Sequence, residues 1–301
     1  MTGRRWIILT IATVSISVGV VAAIAFALDP YGVWRDPTGR KLAIYFEQRK
    51  AKRLMSRRYV PANFNGLIVG PSVSANWDVP TLAGARMFNE SLDGANAAEE
   101  QIVVNQALSR GHFKLAVIIL NPNMTSSHDV KEGLDNVRVT EAIGSFHLFV
   151  HEAAIVLLAA HVRFRKSNAA PDGQDIFTNS KDLSIPKSSG DEAFPIDPVA
   201  LEQYRGMVQS LRNNGAAIVY VVSPTYEPCY RLAKTRLLAY IQTIRPLLPP
   251  APVIDLDSPE YSPLRSDPEN YFDCYHLEPQ GTVKVVALLD TLVPQAIASG
   301  N

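Results

Sequence analysis

The stretch Gly66-Leu67-Ile68-Val69-Gly70-Pro71-Ser72-Val73-Ser74 decides the fold. Its first five residues are a continuous apolar run bounded by glycines, as a strand buried on both faces requires, and the chain then breaks at Pro71 into a small polar turn. Leu115–Leu120 (LAVIIL), Ala216–Val222 (AAIVYVV) and Val253–Leu256 (VIDL) repeat the design, and a shorter strand fits at Arg86–Phe88. Between them the patterning predicts helices at about Glu99–Ser109, Pro198–Asn213, Leu232–Ile244 and Pro279–Ile297. The second has clear end signals, with Asp197 as N-cap, Pro198 in the first helical position and Asn214-Gly215 closing it. Strands alternating with helices build an α/β three-layer sandwich around a central parallel sheet, whose binding site lies outside the C-terminal ends of the strands.

One region departs from the alternation. Residues 126–196 hold a helical stretch, Val137–Phe164, and then a Ser/Asn/Asp/Gly/Pro-rich segment, Lys166–Pro195, read as a long loop of a size that is either mobile or a cover over a site. We take this region as an insertion in one domain spanning 60–301.

Composition narrows the function. The 301 residues carry 29 basic and 29 acidic side chains, and a balanced charge argues against a dedicated nucleic-acid binder, which needs a basic excess to displace counterions. Two cysteines exclude a disulfide-stapled mini-domain and an all-cysteine zinc site. The balance is an average over unlike parts. Trp6–Leu28 runs 23 residues without a charge, about 35 Å as a helix, which is enough to cross a bilayer core. We read residues 6–28, behind a short tail of residues 1–5, as one transmembrane helix with the lipid bilayer as its partner. A signal peptide cleaved after Ala25-Phe26-Ala27 is the alternative. Basic residues flank both ends of the span, so charge leaves the orientation open; the short N-terminal tail favours export of the body.

Residues 29–59 then read as a basic juxtamembrane linker. Nine basic side chains fall within 35–58 against Asp36 and Glu47, whereas 59–301 carries 18 basic and 26 acidic. Such a segment suits anionic headgroups or a polyanionic polymer. The plainer reading is a solvated helix with Leu42, Tyr45, Phe46, Leu54 and Met55 packed on the body.

The residues just past the strands carry the chemistry. Ser72 stands immediately beyond the first strand, Asn121-Pro122-Asn123 beyond LAVIIL, and Asp273-Cys274-Tyr275-His276 comes after the last strand and a proline-broken loop. In a parallel sheet all three reach one edge. An Asp three residues before a His on a tight turn can accept the imidazole Nδ1–H, leaving Nε2 to take a proton from a serine. An ordinary turn with Ser72 or Ser74 capping the next helix is the competing reading of the first block.

In this order the blocks resemble the SGNH hydrolase superfamily, the GDSL-type esterases and acyltransferases, and in particular its membrane-anchored branch acting in bacterial envelope and polysaccharide acylation. The likeness covers roughly residues 60–295, in Gly70-Pro71-Ser72, Phe88-Asn89-Glu90-Ser91-Leu92-Asp93-Gly94, Asn121-Pro122-Asn123 and Asp273 to His276; Asp29-Pro30-Tyr31-Gly32 resembles the stretch after the anchor. The resemblance implies an SGNH, flavodoxin-like sandwich, Ser72 as nucleophile, His276 as base and Asp273 as its partner. It also implies an oxyanion hole of the Ser72 and Gly94 N–H groups with the amide of Asn123, or of Asn121 in its place. It implies an esterase or O-acyltransferase on the periplasmic side of a bacterial inner membrane, with a polysaccharide or an acyl donor as substrate and no cofactor. Two departures stand out: Pro71 occupies a position usually held by a small polar residue, and Asn121-Pro122-Asn123 replaces Gly-x-Asn. They favour the alternative of a non-catalytic carbohydrate-binding or assembly protein.

Other chemistries find less support. His147 and His151 stand four apart but lack a third metal ligand at motif spacing, and there is no phosphate-loop or dinucleotide fingerprint. Cys229 and Cys274 both belong near the same sheet edge; in an exported domain they form a disulfide, and otherwise they are two buried thiols.

Overall fold

A computed structural model describes residues 3–29, 31–36, 38–39, 48–131, 133–134, 170–177, 180–186 and 192–300. The predicted helix 137–164 with His147 and His151, the linker residues Leu42, Tyr45 and Phe46, and parts of the long loop lie outside the described residues. Among the described residues six strands, β1 (Gly66–Val69), β2 (Thr81–Leu82), β3 (Ala85–Asn89), β4 (Leu115–Ile119), β5 (Ala217–Val222) and β6 (Val253–Asp255), form one sheet in the order β2-β3-β1-β4-β5-β6. Every pairing from β3 to β6 is parallel, and the edge strand β2 runs antiparallel, against β3. Sequence patterning missed β2. It is two residues long and exists because Ala83 and Gly84 both take positive φ, the backbone of a tight hairpin turn.

The four long strand predictions hold to within a residue or so at their ends, because each strand is apolar on both faces. Leu67 and Val69 of β1, Ala116 and Ile118 of β4 and Ile218 and Tyr220 of β5 face one layer of helices. Ile68, Val117, Ile119, Val219 and Val221 face the other. The first layer holds α1 (Gly3–Leu28) at its end, α2 (Gln48–Met55), α3 (Tyr59–Asn63), α5 (Ala97–Leu108), α6 (Pro198–Asn213) and part of α7 (Glu227–Ile244). Opposite lie α4 (Ser72–Ala75), α8 (Ser262–Ser266) and α9 (Pro279–Gly300), the last burying Val285, Leu289 and Val293 at four-residue intervals. α6 occupies the predicted span, with the Asp197 carboxylate accepting from the Val199 and Ala200 N–H groups. α7 starts five residues earlier than predicted, because Pro228 suits a first turn that needs no N–H donor.

Gly70 ends β1 where no side chain fits: a Cβ there would lie 2.6 Å from Ile119 of β4. α1 is long and apolar enough to cross a membrane, and its large side chains from Trp6 to Phe26 are exposed, while Ala25 near its end is buried. Asp29 closes the helix with positive φ, and its carboxylate accepts from the N–H groups of Val33, Trp34 and Arg35 at 2.8–3.0 Å. Arg58 donates to the carbonyls of Val33 and Trp34, and Tyr31 and Val33 enter the core beside Leu54, Met55 and Tyr59. Leu54 and Met55 of the basic segment pack on the body as expected; Ala51 and Lys52 are buried with them, while Arg49, Lys50 and Arg53 are half-buried and Arg35 is exposed.

Candidate active site

The turn after β1 is held from three sides. Ser72 is the first residue of α4, half-buried. Ser74 is buried and its hydroxyl pairs with Ser91 Oγ (2.8 Å) and donates to the Pro71 carbonyl, which leaves Ser72 as the serine facing open space. Neither serine makes a side-chain cap to α4. Leu92 N–H donates to the Gly70 carbonyl, so the strand continues as a single parallel bridge between Pro71 and Leu92; proline serves at this position because only the acceptor side of the turn is used. The Asn89 carboxamide lies against the carbonyls of Ser74, Ala75 and Trp77 at 2.7–3.2 Å, fixing the far end of α4. Its positioning part was not visible in sequence, where Asn89 is one polar residue at the end of a short strand.

The His276 loop arrives from the opposite end of the chain. Tyr271 and Leu277 pair antiparallel, Phe272 N–H donates to the His276 carbonyl, and Asn76 at the end of α4 donates to the Leu277 carbonyl. A disulfide between Cys229 of α7 and Cys274 holds the loop laterally, and Tyr226 N–H donates to the Cys274 carbonyl.

Within this frame His276 Nε2 lies 2.8 Å from Ser72 Oγ, and His276 Nδ1 lies 2.7 Å from Asp273 Oδ2. Asp273 Oδ1 also accepts from the Tyr275 and His276 N–H groups, each at 2.8 Å. Burial pulls the Asp273 carboxyl upward, but the hydrogen bonds from the imidazole and these N–H groups outweigh it and hold it below its ordinary range. It is therefore a carboxylate at neutral pH, able to fix the imidazole tautomer with the proton on Nδ1. Phe177 packs edge-on against the His276 ring at 5.5 Å, limiting its rotation.

Two cavities meet at Ser72 and His276. The wider, about 550 Å³, has a mixed lining that includes Asp93, Ser180, Asp182 and Ser184 together with Phe177 and Phe272. The narrower, about 240 Å³, runs the other way between the exits of β4 and β5 and α7. Asn121 and Asn123 both border it. Asn121 Oδ1 accepts from the Asn123 N–H as the cap of a short 3-10 turn, while the Asn123 side chain is exposed with no hydrogen bond among the described residues. Gly94, in the positive-φ conformation, follows Asp93, the residue of its turn that lines the wide cavity. No group of three or more His, Cys, Asp or Glu side chains suited to a metal ion occurs among the described residues.

The turn 89–94 rests on α2. Gln48 Oε1 accepts from Asp93 N–H, Arg49 pairs with Glu99 at 2.9 Å and donates to the Asp93 carbonyl, and the buried Lys52 ammonium donates to the Ser91 carbonyl at 2.5 Å. Around Lys52 stand the buried carboxyls of Glu90, Glu100 and Asp175. Burial pushes Glu90 and Asp175 up to about 7 against the pull of Lys52, and Glu100 also rises well above its ordinary value. The Lys52 cation thus serves three acids, which cannot all ionise together in a dry interior.

No protein-family model matches this chain, and no curated protein matches it. Among solved structures it is similar to a protein provisionally named a platelet activating factor, from Streptococcus pneumonia, at 11% identity and a TM-score of 0.45, over 83% of this chain and 91% of the other. It is also similar to a lipase/acylhydrolase from Enterococcus faecalis (13%, TM-score 0.39, covering 76% and 95%). A third likeness is to a GDSL-like lipase from Bacteroides thetaiotaomicron (11%, TM-score 0.37, covering 77% and 88%). At these values the chemistry of the site rests on this chain's own residues.

The arrangement has two measurable outcomes. Because the disulfide spans 45 residues and holds the His276 loop, Cys229→Ser with Cys274→Ser should cost about 2–4 kcal/mol in urea unfolding and should loosen the contact between Ser72 and His276. The folded chain binds the Glu90 proton more tightly than the unfolded chain does, so this group's stabilisation is full below its ordinary value near 4.5 and is lost as pH rises through about 7. Glu90→Gln should therefore be more stable than the wild type by on the order of 1–3 kcal/mol at pH 8, with no such gain at pH 4. An equal gain at both pH values would mean that folding leaves the proton affinity of Glu90 unchanged.

Proposed function

We propose that this chain is a serine acyl esterase or O-acyltransferase of the SGNH type, held at a membrane by α1. The observation that carries the proposal is the unbroken hydrogen-bonded series Ser72–His276–Asp273, with Ser72 open to two cavities.

In this reading His276 Nε2 removes the Ser72 hydroxyl proton as Oγ attacks an ester carbonyl. Negative charge collects on the former carbonyl oxygen, where the N–H groups of Ser72 and Gly94 and the amide of Asn123 or Asn121 would receive it. Collapse of the tetrahedral intermediate breaks the bond to the alcohol oxygen, which leaves with the proton held on His276. The acyl group remains on Ser72 Oγ. Water or a second hydroxyl, deprotonated in turn by His276, then takes the acyl group and restores the serine, giving hydrolysis or transfer. Asp273 stays ionised and stabilises the imidazolium.

The order of blocks along the chain supports a cell-envelope or secreted polysaccharide as the substrate, and the wide cavity, lined by Asp93, Ser180, Asp182 and Ser184 beside aromatic rings, has room for a sugar unit. A periplasmic body on a bacterial inner membrane fits the disulfide, since such bonds persist in oxidising compartments. Retention of α1 rather than cleavage is supported by the buried Ala25 and by the bond from the Asp29 N–H to the Ala25 carbonyl at 2.8 Å, both of which cleavage after Ala27 would remove.

Reaction with a fluorophosphonate tests the nucleophile directly. The wild type should be labelled on Ser72 and Ser72→Ala should not; His276→Ala should label at least about 100-fold more slowly, within the usual contribution of a general base. Absence of labelling in the wild type would favour the non-catalytic carbohydrate-binding alternative. For the anchor, mass analysis of the membrane-extracted protein should recover an intact residue 6–28 segment, and a mature chain starting after Ala27 would establish the cleaved form instead.

A further inference from the structure

The long loop contributes one described piece beside the site, residues 170–177, and its contacts run from α2 to the His276 imidazole. The Tyr59 hydroxyl donates to the Pro171 carbonyl at 3.0 Å, and the Asn89 N–H at the end of β3 donates to the Asp172 carbonyl at 2.7 Å. Gln174 Nε2 then donates to the Asn76 carbonyl at 2.9 Å, and the Asp175 N–H donates to the Ala75 carbonyl at 2.7 Å. Both carbonyls lie at the end of α4, the helix that begins with Ser72. Two residues further on, Phe177 stands edge-on to the His276 ring, with 5.5 Å between centroids and 84° between planes. One segment thus meets the helix of the nucleophile and the ring of its base.

A single buried side chain fastens this segment to α2. One oxygen of the Asp175 carboxylate accepts from Gln48 Nε2, and the other lies 3.9 Å from the Lys52 ammonium, so both face donors on α2. The same two residues hold the 89–94 turn, at the Asp93 N–H and the Ser91 carbonyl. Burial first, and the Asp93 carboxylate after it, raise the proton affinity of Asp175, while Lys52 and Gln48 oppose them; Glu90 and Glu100 draw on the same Lys52 charge. A buried charge of this kind adds little to stability over an uncharged residue of the same shape. What the carboxylate alone supplies is two acceptors for two donors, since asparagine in its place would turn an NH2 group toward one of them. The bond to Ala75 comes from the Asp175 backbone and survives such a change, so the carboxylate's own effect is on the course of the chain toward Phe177.

We propose that Asp175 is a positioning residue: held between Gln48 and Lys52, its carboxylate sets the path of residues 175–177 and so seats Phe177 against the His276 ring, keeping Nε2 aimed at Ser72 Oγ. The inference rests on His276 acting as the base for Ser72. It is tested on the full chain in detergent at pH 8, above the value of about 7 at which Asp175 titrates, by p-nitrophenyl acetate turnover, the rate of fluorophosphonate labelling and Tm.

Asp175→Asn should lower kcat and the labelling rate by about 10–100-fold, the cost of misaiming a reacting group by about an ångström, with KM changed less than about twofold and Tm held or raised. Phe177→Ala should give a fall of the same order. Combined with Asp175→Asn it should fall no further than the worse single variant, because the two act through one contact. Exchanging the groups, Gln48→Glu with Asp175→Asn, keeps one carboxylate beside Lys52 and an acceptor for the Asp93 N–H, and should restore most of kcat. Unchanged kcat in Asp175→Asn, losses that add in the double variant, or a fall in kcat that follows a fall in Tm and is not restored by the exchange each overturn the positioning role and leave the nucleophile standing. A wild type that neither labels nor turns over the ester overturns the nucleophile, and the positioning role with it.

Discussion

Parallel pairing from β3 through β6 is the constraint on which the site depends. When neighbouring strands run the same way, their C-terminal exits open at one edge, and each exit here contributes a piece: Ser72 after β1, the 89–94 turn after β3, Asn121 and Asn123 after β4, Ser223 and Thr225 after β5, and Asp257 after β6. The His276 loop, beyond the last strand, closes over that edge before α9 returns to the opposite face. Residues 204 positions apart thus come within hydrogen-bond distance without either loop being long.

Holding that edge in place falls to groups outside the hydrogen-bonded series. Asn89 secures α4, the disulfide secures the loop of His276, and α2 secures the 89–94 turn through Gln48, Arg49 and Lys52. The last is the least expected, because α2 belongs to the basic segment beside the apolar helix. Lys52 lies fully buried among carboxyls that burial keeps partly protonated, so a segment that looks made for anionic surfaces spends one of its charges inside the protein. The result is mechanical: the end of α1, the Asp29 turn, α2 and the wall of the cavity at Asp93 are joined by continuous contacts. Truncation between the apolar helix and β1 would remove part of the support of the site.

How much of the fold and the site was legible in sequence depends on the range of each interaction. Strands apolar on both faces announce themselves locally, so the sheet was readable within a residue or so apart from β2, whose two residues carry no pattern; the amphipathic helices were readable in place but less well at their ends, α7 starting five residues earlier than its pattern suggests. Ser72, Asp273 and His276 were singled out by their places after strands. The competing serine, Ser74, was set aside only by its contact with Ser91, seventeen residues away. The choice between Asn121 and Asn123 also turns on geometry: one carboxamide caps its own turn and the other is exposed beside the cavity.

By itself the sequence determined the α/β class, the uncharged helix-length segment at the start, and the order of the polar blocks, because periodicity, strand exits and hydropathy are properties of neighbours along the chain. The tertiary structure alone decided that His276 reaches Ser72 at 2.8 Å, that Cys229 bonds Cys274, that Lys52 is buried, and that two cavities meet at one serine. These depend on which exits the sheet places side by side and on how much water packing removes around each charge, neither of which is encoded in any single stretch of residues.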